Sequence, residues 1–273
     1  MIFTAPCKVN LGLNITKKRE DGYHEIYTVM AAVEKCCDLV EITYRDDSQV
    51  VFSSSGIEID CPAEDNLCVK AYNEFKKHFD IKGVNIHLHK VVPFGAGLGS
   101  GSSDATAVLK GLNEMFDCGA SEDQIKEMAA TLGSDTVFFV NNITKLCEGR
   151  GEKLTELELD LKGLYITLVK PDISISTKFA YSGIIPKNPE FDIVDVLKTD
   201  LSQWKGKLVN DFENHIFNSY PELENIKNLL YDSGADYVSM SGSGSTIFAL
   251  SKIQLNVKNL TIPIYCYFFN NIL

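Results

Sequence analysis

None of the eight cysteines in this 273-residue chain forms a CxxC pair, and a chain of this length does not need disulfide staples. Basic residues are also scarce: 26 Lys and Arg stand against 37 Asp and Glu, for a net charge of −11. That balance excludes an extended nucleic-acid footprint, though not a small anionic substrate held in one local pocket. No uncharged apolar run reaches the length of a membrane span. Lys8 and Asn10 interrupt the opening segment too early for a secretory apolar region. Repeats and low-complexity tracts are absent as well. The expectation is a soluble cytoplasmic protein that binds neither nucleic acid nor membrane. What the chain has is apolar content, 45% of its residues, enough for one large domain or two closely packed ones.

The hydrophobic pattern predicts strands and helices without strict alternation. "IFTAPCKVNLGLNI" alternates loosely, with Pro6 expected to split it into two strand pieces and with Lys8 and Asn10 on one side. "KKREDGYHE" follows as a charged turn, then "CDLVEITY" and "QVVFSSS" as strands. Asp65 is expected to cap a helix over 67–79, and "VNIHLHKV" reads as a strand ended by Pro93. Ala105, Val108, Leu109, Leu112 and Met115 mark one face of a helix. Ser121 and Gln124 form a capping box for the next helix, which ends near Gly133, and "TVFFV" is expected to return as a strand. Beyond "CEGRGEKL", a turn between strands, the pattern restarts. It gives a strand at "GLYITLVKP" and helices around Pro221 with Gly234 as C-cap. A strand–turn–strand at "YVSMSGSGSTIFAL" and a last strand at "IPIYCYFF" follow. The fold class is α+β in two lobes, 1–155 and 156–273.

The segment "VVPFGAGLGSGSSDA" at 91–105 carries the chemistry. It is no dinucleotide fingerprint, because the helix after it leads to a second helix rather than to a strand. It is no Walker A loop either, because Ser102 stands where that motif needs lysine. Gly95, Gly97, Gly99 and Gly101 nonetheless let the backbone approach a ligand closely. The amides of Gly101, Ser102 and Ser103 fall at a helix N-terminus, where unpaired donors and the dipole favour an anion.

"PFGAGLGSGSSDA" resembles the phosphate loop of the GHMP kinases, the superfamily of the galacto-, homoserine, mevalonate and phosphomevalonate kinases. Two further motifs of that group occur in order, "APCKVNLGLNI" with Lys8 and "SGSGSTIF" at 241–248. "DGYHE" at 21–25 and "LGSD" at 132–135 resemble one branch, whose acceptor is a tertiary hydroxyl on a cytidine-diphosphate-linked alcohol. The resemblance runs almost the whole length. It implies a two-lobed fold with a left-handed-type β-α-β phosphate-loop region in 1–155, the ATP-binding lobe. The rest, 156–273, becomes a substrate-binding lobe of antiparallel sheet and helices. It also implies ATP with Mg²⁺ held mainly by the phosphates, no assigned protein ligand for the metal, a small cytidylyl alcohol as partner, and a monomer or weak homodimer. The alternatives are another small-alcohol kinase of the group, or a nucleotide-binding homologue without catalysis.

The residue roles follow from the same resemblance. Asp135 is the expected base and Lys8 its ion-pair partner. Pro93, Phe94, Gly95, Ala96, Gly97, Leu98, Gly99, Ser100, Gly101, Ser102 and Ser103 would hold the nucleotide, with Asn66 near the adenine. Tyr23 and Tyr181 would stack on cytosine, His24 would read its edge, and Asn10 and Thr177 would lie around the diphosphate and erythritol. The chain departs from the family pattern in two places. Ser134, Thr136 and Val137 surround Asp135 where alanine before it and proline two residues after are usual, and Ser100 interrupts the glycine run. His87 and His89 share a strand face but lack a third ligand, so they are expected to be exposed strand residues; Cys36 and Cys37 are expected to be structural thiols.

Overall fold

The computed structural model describes residues 1–256 and 267–272. Its contacts divide the chain into two interleaved units. One is Met1–Lys8, Ala32–Phe94 and Gly99–Ile143; the other is Val9–Ala31, Gly95–Leu98 and Thr144–Leu273. A single cut after residue 155 therefore does not describe the division. The reason is that two long strands, β1 (Ile2–Lys18) and β2 (His24–Tyr44), contribute their two halves to different units.

In the first unit, β3 (Val50–Gly56) and β4 (Val84–Lys90) pair in parallel, joined through helix α1 (Leu67–His78). β4 also pairs antiparallel with residues 39–44 of β2. Helices α2 (Ser100–Met115) and α3 (Glu122–Leu132) complete this β-α-β region. The predicted face of α2 is buried, and Val108, Leu109 and Leu112 share a core with Ile42, Ile86 and Phe75. The Ser121–Gln124 capping box is formed at the start of α3.

In the second unit, residues 26–30 of β2 pair with β5 (Lys145–Gly149), which pairs with β6 (Lys153–Glu156). A four-stranded antiparallel sheet runs β10 (Tyr267–Ile272), β7 (Tyr165–Lys170), β9 (Ile247–Ser251), β8 (Tyr237–Met240). Helices α4 (Thr177–Ser182), α5 (Ile193–Leu197), α6 (Phe212–Ser219) and α7 (Pro221–Asp232) accompany it. Phe212, Ile216, Leu223 and Leu230 pack with Val169, Val238 and Ile247.

Several local expectations are corrected. Pro6 does not break β1, which runs unbroken through seventeen residues; proline removes one donor but suits extended backbone. "TVFFV" is a 3-10 turn over Thr136–Val140, not a strand. Five residues carry too little periodicity to decide, and burying Phe138 and Phe139 does not need a sheet here. Asn66, not Asp65, caps α1, its side chain accepting from the Cys68 amide at 2.9 Å. Ser233 is the C-cap of α7, with Gly234 one residue beyond at φ +96°. Of "IPIYCYFF", residues 262–266 lie outside the described residues, and β10 begins at Tyr267.

Candidate active site

Lys8 lies in β1 among apolar neighbours and is only 3% exposed. A buried ammonium needs a carboxylate, since desolvation otherwise costs several kcal/mol. The Asp135 Oδ2 is 3.6 Å from Lys8 Nζ, and the aspartate side chain keeps about a third of its surface, 32%, open. One partner is therefore fixed in the interior while the other remains accessible, the arrangement a proton acceptor needs.

The turn that presents Asp135 is held by its neighbour. Thr136 is fully buried; its hydroxyl donates to the carbonyls of Ala129 and Gly133, and its own carbonyl accepts from the Thr106 hydroxyl at 2.9 Å. These bonds tie the aspartate to the end of α3 and to the middle of α2, without the usual proline. The sequence shows Thr136 only as a departure from the family pattern; its place in holding the turn appears in the hydrogen bonds.

The glycine loop supplies the second component. Gly99 caps α2 in the left-handed conformation at φ +67°. A Cβ on it would lie 3.0 Å from Phe139 Cζ and 3.2 Å from Lys8 Cε. Within the first unit, then, the N-terminus of α2 abuts the lysine that holds Asp135. The open donors of that first turn are the amides of Ser100, Gly101 and Ser102. Ser103 is not among them, because its amide already donates to the Gly99 carbonyl at 3.0 Å. Gly101 is helical rather than left-handed, and what its small size accommodates is the Phe94 ring 3.3 Å from a would-be Cβ. Ser100 fits without disruption as the first helical residue, its hydroxyl reaching the Pro93 carbonyl at 3.4 Å. Ala96 and Leu98 are buried; Phe94 and Gly95 are exposed.

In the second unit the loop residue Gly97, at φ +78°, meets the 241–244 turn. The Ser241 hydroxyl donates to the Gly97 carbonyl at 2.8 Å, and a Cβ on Gly97 would sit 2.0 Å from the Ser241 carbonyl oxygen. Asn10 is 2% exposed beside Gly242 and donates to the Thr28 hydroxyl at 3.1 Å.

The aromatic residues expected around a cytosine lie in this unit too. His24 lies flat on Tyr181, ring centroids 4.8 Å apart and planes 20° apart, and Tyr181 meets Phe212 edge-on. A half-buried imidazole gains more from this face than from standing edge-on. Burial, with help from Lys18, holds its pKa below the ordinary value, so it is neutral near pH 7 and offers one donor and one acceptor. Tyr23 is 57% exposed, with the Arg150 guanidinium 5.0 Å above its ring. Thr177 is exposed in the first turn of α4. Asn66 has its carboxamide oxygen committed to the α1 cap. His87 and His89 face the hydroxyls of Ser53 and Ser55, and no cluster of three or more metal-ligating side chains occurs among the described residues.

The architecture and the loop are those of a GHMP kinase: residues 66–142 match the GHMP kinases N-terminal domain and residues 193–259 the GHMP kinases C-terminal domain. The 4-diphosphocytidyl-2-C-methyl-D-erythritol kinase of Parabacteroides distasonis is 40% identical over 98% of this chain and 97% of its own. The enzyme of the same name from Bacteroides thetaiotaomicron is 45% identical over 92% of each chain. A crystal structure of 4-(cytidine 5'-diphospho)-2C-methyl-D-erythritol kinase superposes with a TM-score of 0.81 at 30% identity, covering 92% of this chain and 90% of the other. The chain belongs to the 4-diphosphocytidyl-2-C-methyl-D-erythritol kinase family.

Proposed function

We infer that this protein transfers the γ-phosphate of ATP to the 2-hydroxyl of 4-diphosphocytidyl-2-C-methyl-D-erythritol, in the cytoplasm. The observation that carries the reading is the Lys8–Asp135 pair at 3.6 Å beside the N-terminus of α2. Phosphoryl transfer is mainly alignment and charge stabilisation. Asp135 takes the proton of the acceptor hydroxyl as its oxygen bonds to the γ-phosphorus and the bond to the ADP oxygen breaks. Lys8 faces the carboxylate as its ion-pair partner and fixes its direction. The 93–103 loop holds the phosphates, the amides of Ser100, Gly101 and Ser102 serving as donors, and Asn66 lies toward the adenine. A Mg²⁺ ion held chiefly by the nucleotide phosphates would offset their charge.

Recognition of the cytidine falls to Tyr23, His24 and Tyr181. Tyr23 presents its ring to the base once Arg150 withdraws, and neutral His24 matches a pyrimidine edge. Asn10 and Thr177 line the diphosphate and erythritol. The test is transfer from γ-labelled ATP to alcohols with and without the cytidylyl group. Label is expected on the cytidylyl alcohol; preferential labelling of mevalonate or homoserine overturns the assignment.

A further inference from the structure

A buried ionic cluster that the transfer chemistry does not use flanks the glycine loop in the first unit. Lys90, the last residue of β4, is 2% exposed; its ammonium donates to Asp38 Oδ2 at 2.6 Å and to Asp104 Oδ2 at 2.7 Å. Asp38 is fully buried on β2, and its Oδ1 also accepts the amides of Val91 and Val92 at 2.6 and 2.7 Å. One carboxylate thus fixes the two residues that leave β4 for the loop. The same lysine ties them to Asp104, four residues into the helix that follows the loop.

The charges in this cluster do not balance as drawn. One ammonium faces two carboxyls whose side chains are 0% and 3% exposed, and a surplus buried charge is expensive. A proton on one of the two carboxyls removes that surplus charge. The donors decide which. Asp38 receives three of them, Asp104 receives one, and Asp104 Oδ1 is buried with no donor. Burial accordingly pushes Asp104 up to about 7 from an ordinary 3.8. The other titratable groups facing the cluster are thiols: Cys68 of α1, which senses all three charges, and Cys7 and Cys36 of β1 and β2 beside Asp38. Cys68 is held well above the ordinary thiol range by burial, and Cys7 by its bond with Cys36 and by burial.

We propose that Asp38, Lys90 and Asp104 are positioning residues that anchor the entry and exit of the phosphate loop, and that Asp104 is protonated when the loop holds nucleotide. This rests on the reading that residues 93–103 bind ATP. Four residues of helix place Asp104 about 6 Å along the axis from Ser100, the first residue of α2. An ionised carboxylate there would oppose the positive helix end that an anion uses. Nucleotide therefore binds better to the protonated form, and the KM for ATP is expected to rise as pH passes upward through about 7.

Asp104→Asn separates the outcomes, because the amide keeps the shape of the protonated acid without its charge. A raised folded-state pKa stabilises at low pH and loses that contribution as pH climbs from the unfolded to the folded value. The Tm of Asp104→Asn should therefore pull ahead of wild type between about pH 4 and 7, then keep a constant lead. Its KM for ATP should stay flat across neutral pH, where the wild-type value climbs roughly two- to thirty-fold. Asp38→Asn should lower Tm at every pH and raise the KM for ATP more than it lowers kcat. A Tm gap that does not change with pH overturns the proton. A pH-dependent KM in Asp104→Asn equal to wild type overturns the coupling. If ATP binds elsewhere, Gly99→Val leaves its affinity intact while the Tm comparison still decides the proton.

Discussion

At the residue scale the question is which side chain takes the acceptor's proton. Asp135→Asn keeps the size of the carboxylate but can neither accept that proton nor balance Lys8. Single-turnover transfer at saturating substrates should fall by at least about 10²-fold, the lower end of what a positioned base contributes, with both substrates binding within a few-fold of wild type. Retention of more than a tenth of the rate would reduce Asp135 to a partner for Lys8. Lys8→Met should also be severe for transfer yet mild for folding, since methionine suits the apolar surroundings of β1. For the cytidine, Tyr23→Ala should raise the KM of the cytidylyl alcohol roughly ten-fold, because stacking of a base on one aromatic is worth about 1–3 kcal/mol. Tyr181→Ala removes both a candidate face and the support under His24, so its effect should be at least as large. An equal rise in the KM for ATP in either variant would take that residue out of the cytosine site.

At the element scale, the loop and the aspartate turn depend on backbone geometry rather than on reactive groups. Gly97→Val would drive a β-branched side chain into the Ser241 carbonyl, 2.0 Å from the Cβ position. Gly99→Val would force a left-handed residue against Phe139 and Lys8. Calorimetry should show loss of ATP binding in both variants while circular dichroism stays native-like; normal affinity would rule out the loop as the phosphate cradle. Thr136→Ala removes the hydroxyl that reaches Ala129 and Gly133. The two carbonyls share that one proton, and losing it costs roughly 1–3 kcal/mol, so a lower Tm is expected together with a kcat loss exceeding any change in KM. A variant that loses stability but keeps kcat would show that the turn does not need Thr136 to aim Asp135.

At the scale of the whole molecule, the nucleotide is expected to stabilise the fold that binds it. Saturation at a hundred times Kd contributes about 2.7 kcal/mol. For a chain of this size that is a rise in Tm of roughly 5–10 °C. A thermal melt with ATP should show the rise in wild type and lose it in Gly99→Val; an equal rise in both would place the nucleotide away from this loop. The net charge of −11 does not oppose this, because the proposed recognition of the anion is local: amides at one helix end, with Lys8 alongside.

The sequence by itself determined the elements whose signals are local. Helix α3 was legible because Ser121, Gln124 and the apolar stripe agree, and α2 because its buried face repeats at helical spacing. The loop and Lys8 stood out because burying a lysine in an apolar strand and spacing glycines before a helix are choices that packing alone would not make, whereas Asp135 stood out only through the family resemblance. Tertiary structure decided the rest. "TVFFV" became a 3-10 turn held partly by the Thr136 hydroxyl on the end of α3 and partly by the Thr106 hydroxyl, thirty residues away in sequence, on the Thr136 carbonyl. The single strands β1 and β2 serve two units, so no composition shift near residue 155 could mark the division. His24 lies on Tyr181 across 157 positions of sequence because a half-buried ring takes the nearest flat partner. Asp38, Lys90 and Asp104 meet for a similar reason: alone, each reads as an ordinary charged residue, and only the packing of β2, β4 and α2 removes water from all three. Local sequence encodes hydrogen bonds to near neighbours, whereas charge pairing and ring stacking depend on which distant segments the fold brings together.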